Sequence, residues 1–283
     1  MPEAGYRKVN GVNLWVDIQG EPSSGTIIAL HGAPGLSTHA EPKTAFAELA
    51  DSWQVVTYDA RGSGVSEAVP PYTHEQWVAD LEALREQLQV EQFVIAGGSY
   101  GGYIALEYAI RHPERVSRIV LRDTAARDYS EYAKANARQR AKEFPEITDE
   151  VLEHVFAGTM RDNDHYRECF ATIAPLYDVN HDPVATAERI AKIPFNYETK
   201  NFAFAVNKPA YDVRDQLRTL NIPTLITVGR HDWITPVAAS EELYGLLPDS
   251  ELVIFEESGH SPQKEQKEEW LAAVRRFLDR AAG

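Results

Sequence analysis

Apolar runs alternate with segments of helical period over the first third of the chain. Residues 26–30, 93–96 and 116–121 are short and rich in apolar side chains, which is typical of strands that are buried on both faces. Residues 75–88 and 101–111 instead carry apolar side chains at the spacing of one face of a helix. This alternation predicts an α/β fold with a mostly parallel sheet that helices cover on both faces.

The pattern changes in the middle of the chain. Residues 124–218 show helical spacing, many charges and many aromatic side chains, and no convincing strand. Strand patterns resume at residues 224–228 and 252–255. We therefore predict one α/β core formed by residues 1–123 and 219–283, interrupted by a helical cap at residues 124–218.

A glycine-rich turn separates the strand at residues 93–96 from the helix that follows it. Residues 97–101 read Gly-Gly-Ser-Tyr-Gly, and Gly-x-Ser-x-Gly between a strand and a helix predicts a nucleophile elbow. The serine of such an elbow sits on a strained turn, so its flanking glycines must let strand and helix pass closely. The turn also places Ser99 at a helix N-terminus, which favours a developing negative charge. Ser99 is the predicted nucleophile.

A second glycine-rich loop follows the strand at residues 26–30. Residues 31–35 read His-Gly-Ala-Pro-Gly. Where an elbow is present, this loop supplies one backbone N–H of an oxyanion hole, and the residue after the nucleophile supplies the other. We assign these two donors to Ala33 and Tyr100. His31 is interpreted as a structural residue that holds the loop, because one general base is sufficient.

One acid and one base follow the last two predicted strands. Asp232 and His260 complete the chain order Ser99, Asp232, His260, the order of serine hydrolases that carry this elbow. A serine hydroxyl is a weak nucleophile until a neutral imidazole accepts its proton. A carboxylate then holds the imidazole in the required tautomer. Asp123, which ends the strand one earlier, stays a rival for the acid because it could approach the same histidine.

Charge and composition narrow the classes of partner. The chain has 28 basic and 43 acidic residues and a formal charge of −15. Such a surface repels phosphate backbones and anionic lipid heads, so we expect no nucleic acid and no membrane partner. No His/Cys cluster has metal-ligand spacing, so we expect no metal and no cofactor. A lone Cys169, without a signal-peptide or membrane-spanning pattern, is typical of a cytoplasmic protein.

Together these motifs resemble the proline iminopeptidase branch of the α/β-hydrolases, peptidase family S33. The elbow at residues 97–101 matches the family's Gly-Gly-Ser-Trp/Tyr-Gly, and residues 58–66 match its Tyr-Asp-x-Arg-Gly-Ser-Gly-x-Ser. Residues 229–236 resemble its acid-bearing turn. Ala33 replaces the second glycine of the family's His-Gly-Gly-Pro-Gly loop. The resemblance covers the core on both sides of the cap and implies the α/β-hydrolase fold.

The resemblance also implies an exopeptidase. Family members hold the free α-amino group of the substrate with carboxylates of the cap, a charge-assisted contact. Glu198 lies roughly where such a carboxylate is expected, and Glu146, Glu150 and Glu153 are the other candidates. These four residues are therefore the predicted sources of an amine clamp.

The leading hypothesis is a serine hydrolase that acts through an acyl-enzyme on a small amide or short peptide and releases an N-terminal residue, proline above all. The alternative is an esterase, lactonase or carbon–carbon bond hydrolase on a small apolar metabolite. From another class, a non-catalytic receptor could use the pocket of the same fold. The sequence gives no oligomeric state.

Overall fold

A computed structural model describes residues 3–140 and 142–280 of the chain. One sheet of eight strands forms its centre, in the order β1-β2-β4-β3-β5-β6-β7-β8. The first pair and the β2–β4 pair are antiparallel, and all other neighbours are parallel. The strands are β1 Glu3–Val9, β2 Val12–Gln19, β3 Thr26–Leu30, β4 Gln54–Tyr58, β5 Phe93–Gly98, β6 Val116–Arg122, β7 Thr224–Gly229 and β8 Ser250–Phe255.

Helices connect the strands and form a separate group between β6 and β7. In chain order they are α1 Ala40–Phe46, α2 His74–Gln87, α3 Tyr100–Arg111, α4 Ser130–Arg140, α5 Asp149–Ala157, α6 Asn163–Ile173, α7 Pro183–Ala191, α8 Tyr197–Phe202, α9 Lys208–Ala210, α10 Arg214–Leu217, α11 Val237–Leu246, α12 Pro262–Glu265 and α13 Lys267–Leu278. A π-helical turn, Ala203–Asn207, joins α8 to α9. Parallel strands linked by helices confirm the predicted fold class.

The central strands are buried on both faces because successive side chains enter two different cores. In β3, Ile28 packs in the core that α2 and α3 cover, whereas Ile27 packs in the core that α1 and α13 cover. In β5, Ile95 and Val94 divide in the same way. This explains why the strands read as apolar runs instead of alternating with polar residues.

The strand β1 lies at the sheet edge and was not predicted. Glu3, Arg7 and Lys8 interrupt any apolar run there, and the side chains of this strand are mostly exposed. The strand exists because its backbone pairs along its whole length with β2. Edge strands of this kind carry charges without loss of pairing, since one face and one edge meet water.

The helical segment between β6 and β7 begins and ends at neighbouring points of the core. Arg127 and Asp212 form an isolated antiparallel bridge, and the Val213 N–H donates to the Ala126 carbonyl over 2.9 Å. These paired residues lie just inside the bounds of the predicted cap, residues 124–218. The role of the cap as a lid stays a proposal. No helix in the described part of the chain is long and apolar enough to cross a bilayer.

Candidate active site

Ser99 occupies the turn between β5 and α3 in a strained backbone conformation. Its φ is +53° and its ψ is −123°, a region that costs a non-glycine residue free energy and occurs mainly at functional sites. The Ser99 N–H donates to the Arg122 carbonyl over 2.9 Å. The Ser99 carbonyl accepts from the Thr124 hydroxyl over 2.8 Å. These bonds hold the predicted nucleophile at the carboxyl edge of the sheet.

Glycines around Ser99 let three backbone segments meet. A Cβ at Gly101 would overlap the carbonyl oxygens of His31 and Leu30, the latter at 2.8 Å. We expect Gly101→Ala to lower the midpoint of thermal unfolding markedly, because neither carbonyl can move without breaking the loop or the strand. Gly245→Ala is the matched control in α11, where a Cβ meets nothing within 4 Å. It should stabilise the protein by about 0.5–1 kcal/mol. Equal effects would contradict this packing account.

The loop after β3 places its backbone for anion binding. His31 stabilises it: Nε2 accepts from the Ala60 N–H over 3.0 Å, and Nδ1 lies 3.2 Å from the Gly32 carbonyl, to which it donates. Burial lowers the pKa of His31 below 6.5, so the ring is neutral and suits this structural role. Within residues 3–140 and 142–280, neither the Ala33 N–H nor the Tyr100 N–H has an acceptor. Both donors are therefore free to meet a ligand, as an oxyanion hole requires.

Asp232 and His260 form a buried hydrogen-bonded pair. His260 Nδ1 lies 2.8 Å from Asp232 Oδ2, and the two residues are 5% and 4% exposed. The other carboxylate oxygen accepts the backbone N–H groups of Ile234 and Thr235 at 2.9 and 3.1 Å. The Thr235 hydroxyl adds a bond to Oδ2 over 2.8 Å. The carboxylate is thus fixed in place and holds the proton of His260 on Nδ1, which leaves Nε2 as the basic atom.

The environment of His260 favours its protonated form. Burial by itself lowers its pKa, but the charge of Asp232 and the hydrogen bond to that carboxylate together raise the pKa above 6.5. A raised pKa makes the imidazole a stronger proton acceptor. The charge of Asp232 also stabilises the imidazolium that would form when a serine proton is taken up.

Asp123, the rival acid, lies beside this pair without bonding to His260. One oxygen accepts the Gly229 N–H over 3.0 Å, while the other has no hydrogen-bond partner in the described part of the chain. Asp123 is fully buried, and its backbone φ is +47°. Burial and the charge of Asp232 raise the pKa of Asp123 to about 8, well above that of an ordinary carboxyl. The structure therefore pairs His260 with Asp232 and favours the protonated form of Asp123.

Asp123, Asp232 and His260 also form the one group of the described residues with the spacing of a metal site. Their ligand atoms lie within 4.8 Å of one another. The Nδ1–H of His260 is already committed to Asp232, however, and the protonated Asp123 is a poor cation ligand. The donor set fits an acid–base pair better than a metal centre.

Several residues around the site gave no signal in the sequence. The Tyr177 carbonyl, from the helical segment, accepts the His260 N–H over 2.8 Å, and its ring lies 5.4 Å from the imidazole. His74 bonds to the Tyr100 hydroxyl at 2.8 Å and to Glu107 at 2.6 Å. These partners are distant in the chain, so spacing could not reveal them. The hydrogen bonds from Thr235 to Asp232, in contrast, could have been predicted from the Asp-x-x-Thr spacing of these two residues in the sequence.

The four predicted clamp carboxylates are all exposed to solvent, and none is buried over Ser99. One of them, Glu153, pairs with Lys134 at 2.9 Å. Another, Glu198, lines a cleft of about 310 Å³ between the residue 62–66 loop and the start of α8.

Two lysines of the helical segment are buried instead. Lys200 and Lys208 are 3% and 4% exposed, and their amines lie 2.7 and 4.9 Å from the centre of the Phe204 ring. That ring packs against Tyr100, next to the nucleophile, at 5.8 Å. Burial and the charge of Lys208 bring the pKa of Lys200 well below its usual value. The buried side of this segment therefore carries amines.

The chain belongs to the α/β-hydrolase family: the family model described as "alpha/beta hydrolase fold" matches residues 25–267. Among curated relatives, a proline iminopeptidase of Pestalotiopsis fici, PfmaB, is 30% identical over 278 residues, which are 97% of this chain and 99% of that protein. A 2-hydroxymuconate semialdehyde hydrolase of Pseudomonas sp. is 29% identical and covers 99% and 95% of the two chains. The resemblance to proline iminopeptidases is thereby confirmed.

Solved structures agree on the architecture. A meta-cleavage product hydrolase, CumD, superposes with a TM-score of 0.79 at 24% identity over 98% of both chains. A thermophilic esterase from Thermogutta terrifontis superposes with a TM-score of 0.74 at 26% identity, again over 98% of both. The chain is therefore a hydrolase by family and fold, and its neighbours differ in the bond that they cleave.

Proposed function

We propose that this chain is a serine hydrolase that works through an acyl-enzyme on Ser99, with His260 as general base and Asp232 as the acid that orients it. The observation that carries the proposal is the buried 2.8 Å bond between Asp232 and His260, at the same sheet edge as the strained Ser99. A buried charged pair is costly to a fold, and such pairs cluster at functional sites, which supports a catalytic role for the imidazole at this sheet edge.

The reaction proceeds in two halves. In the first, Ser99 Oγ bonds to the substrate carbonyl carbon while its proton passes to His260 Nε2, and the N–H groups of Ala33 and Tyr100 bind the oxyanion. The bond to the leaving group then breaks, and the imidazolium gives that group its proton. In the second half, water replaces the leaving group, and the same steps release the acid and restore Ser99.

Release of an N-terminal residue from a small amide or short peptide is the leading substrate class. The proline iminopeptidase relatives, aligned over nearly the whole chain, support it. In this reading Glu198 supplies the clamp, because it lines a cleft at the edge of the helical segment. A carboxylate there would bind the substrate ammonium by a charge-assisted bond.

A second candidate is hydrolysis of an ester, a lactone or a carbon–carbon bond in a small apolar metabolite. One observation favours it: Lys200 and Lys208, two amines, are buried beside Phe204, while the candidate carboxylates are exposed. An amine offers a substrate ammonium no charge-assisted acceptor, so these two residues do not suit an amine clamp. Esterase and carbon–carbon hydrolase relatives have the same fold.

Three substrates separate the candidates: prolyl p-nitroanilide, its N-acetylated form and a short p-nitrophenyl ester. The aminopeptidase proposal predicts fast cleavage of the free-amine anilide and its loss on acetylation. Glu198→Gln should then raise KM for that anilide by about tenfold, the worth of one charged hydrogen bond, and leave ester hydrolysis unchanged. Glu188→Gln, at an exposed carboxylate on α7 that is not a clamp candidate, is the matched control and should change neither.

The opposite pattern of substrate cleavage would favour the second candidate, a hydrolase of an ester, a lactone or a carbon–carbon bond. Ester cleavage with both anilides untouched, and no effect of Glu198→Gln, would mean that no carboxylate reads a substrate amine. Ser99→Ala is the control for whichever activity is found. Cleavage by the site must disappear in this variant, whereas background hydrolysis of activated esters by surface groups does not need Ser99 and would remain.

A further inference from the structure

The most unusual group at the sheet edge is the second buried carboxyl. Asp123 directly follows β6, Asp232 follows β7, and a carboxyl oxygen of each lies within 4.8 Å of a ring nitrogen of His260. Only Asp232 bonds to the ring. The free oxygen of Asp123 is buried without a hydrogen-bond partner in the described part of the chain, which normally destabilises a fold.

The backbone holds Asp123 toward the pair. Its N–H donates to the Thr227 carbonyl over 2.9 Å, and one carboxyl oxygen accepts the Gly229 N–H over 3.0 Å. Its φ of +47° costs conformational energy in an aspartate. A strained and fully buried acid without a close counter-ion is not explained by packing. The guanidinium of Arg122 comes no closer than 3.8 Å, through Nη1. Its other terminal nitrogen, Nη2, bonds to Glu41 at 2.7 Å.

We propose that Asp123 is a positioning residue that acts on His260 as a second, reserve acid. While Asp232 is present and ionised, Asp123 stays neutral and adds no charge. When the charge of Asp232 is removed, Asp123 ionises and takes over the orientation of the imidazole. The inference rests on the proposed serine-hydrolase function.

The exchange is driven by the groups that face Asp123. These are Asp232 and His260 from the neighbouring loops, Arg122 from its own strand and the Gly229 N–H. After burial, the charge of Asp232 is the largest cause of its raised pKa; the other three groups favour the ionised form. Loss of Asp232 therefore lowers the pKa of Asp123 and favours its ionised form, beside an imidazole that has lost its other acid.

The test is a double-mutant cycle on Asp232→Ala and Asp123→Ala. The readout is the rate at which a fluorophosphonate labels the intact protein, since this needs an activated serine and no natural substrate. Where a triad has no reserve, loss of the acid costs about 10⁴-fold. We expect Asp232→Ala to lose much less, Asp123→Ala to change the rate little at pH 7, and the double variant to fall at least about tenfold below Asp232→Ala.

Asp178→Asn is the matched control for removing a buried carboxylate near the same loop. It is 6% exposed and pairs with Lys264 at 2.7 Å. The double variant Asp232→Ala/Asp178→Asn should be labelled at the same rate as the single variant Asp232→Ala. Equal labelling of Asp232→Ala and of the double variant with Asp123→Ala would overturn the proposal.

A second readout does not depend on activity and separates failure of this inference from failure of the proposed function. The pKa of His260, followed by NMR in the Ser99→Ala background, should stay above 6.5 in Asp232→Asn, which preserves the size of the side chain. It should drop when Asp123→Asn is added, because the last negative neighbour is lost. An unchanged pKa would overturn the reserve role, even if the chain proved not to be a hydrolase.

Discussion

Ser99→Ala is expected to lower kcat for any ester or amide substrate by about 10⁶-fold. The variant keeps the Asp232–His260 pair and both oxyanion donors but has no atom that can form the acyl-enzyme. Its thermal unfolding midpoint should stay within a few degrees of the wild type, since only one oxygen atom is removed. Initial rates with a p-nitrophenyl ester, measured beside the unfolding midpoint, check both statements.

Two results would contradict this. Retention of more than about a hundredth of the activity would mean that water attacks the substrate directly, with the chain supplying only binding and an oxyanion hole. A lost activity together with a large fall in the unfolding midpoint would mean that Ser99 is needed for the fold. Thr172→Ala, at a half-buried threonine on α6, is the control for removing a hydroxyl elsewhere.

His260→Ala is expected to have an effect of the same size, about 10⁶-fold in kcat. Without the imidazole, nothing at the site accepts the Ser99 proton, and the buried Asp232 loses its partner. Adding Ser99→Ala to this variant should lower the rate no further, because the two residues act as a unit. A further large loss in the double variant would show that they act independently.

The same residue sets the pH dependence. His260 must be neutral to accept a proton, and the charge of Asp232 and the hydrogen bond to it raise the pKa of His260 above 6.5. kcat/KM should therefore fall as the pH is lowered through that raised value, earlier than for an exposed histidine. A rate that stays flat down to pH 5 would exclude His260 as the base.

The sequence identified the parts of the site that depend on local structure. Ser99, Asp232 and His260 each follow a strand, and the ends of parallel strands meet at one edge of a sheet. A short apolar run and a glycine are enough to place each of them. The fold class followed from the same alternation of strands and helices.

What the sequence missed depends on register and on contacts across the chain. Asp123, which the sequence offered only as a rival acid, approaches His260 because β6 and β7 pair so that Arg122 lies opposite Thr227, and no property of one strand gives that register. The contact of His74 with Tyr100 joins two separate helices. The burial of Lys200 follows from how α8 packs on the core, which a charged residue in a polar segment does not reveal.

The substrate class stays a proposal for the same reason. In our proposal, specificity resides in the helical segment, where the sequence matches no motif, while the catalytic groups lie in the core. The exposed positions of Glu146, Glu150, Glu153 and Glu198 therefore matter more for the choice between peptide and ester than any feature of the triad.

The central claim is that Ser99 is a nucleophile activated by the folded site. Treatment of the wild type with a fluorophosphonate, followed by intact mass measurement and peptide mapping, tests it most directly. We predict one adduct per chain, on the peptide that contains Ser99, absent from Ser99→Ala and from protein unfolded before treatment. A folded wild type that stays unlabelled, or that carries the adduct on another residue, would contradict it.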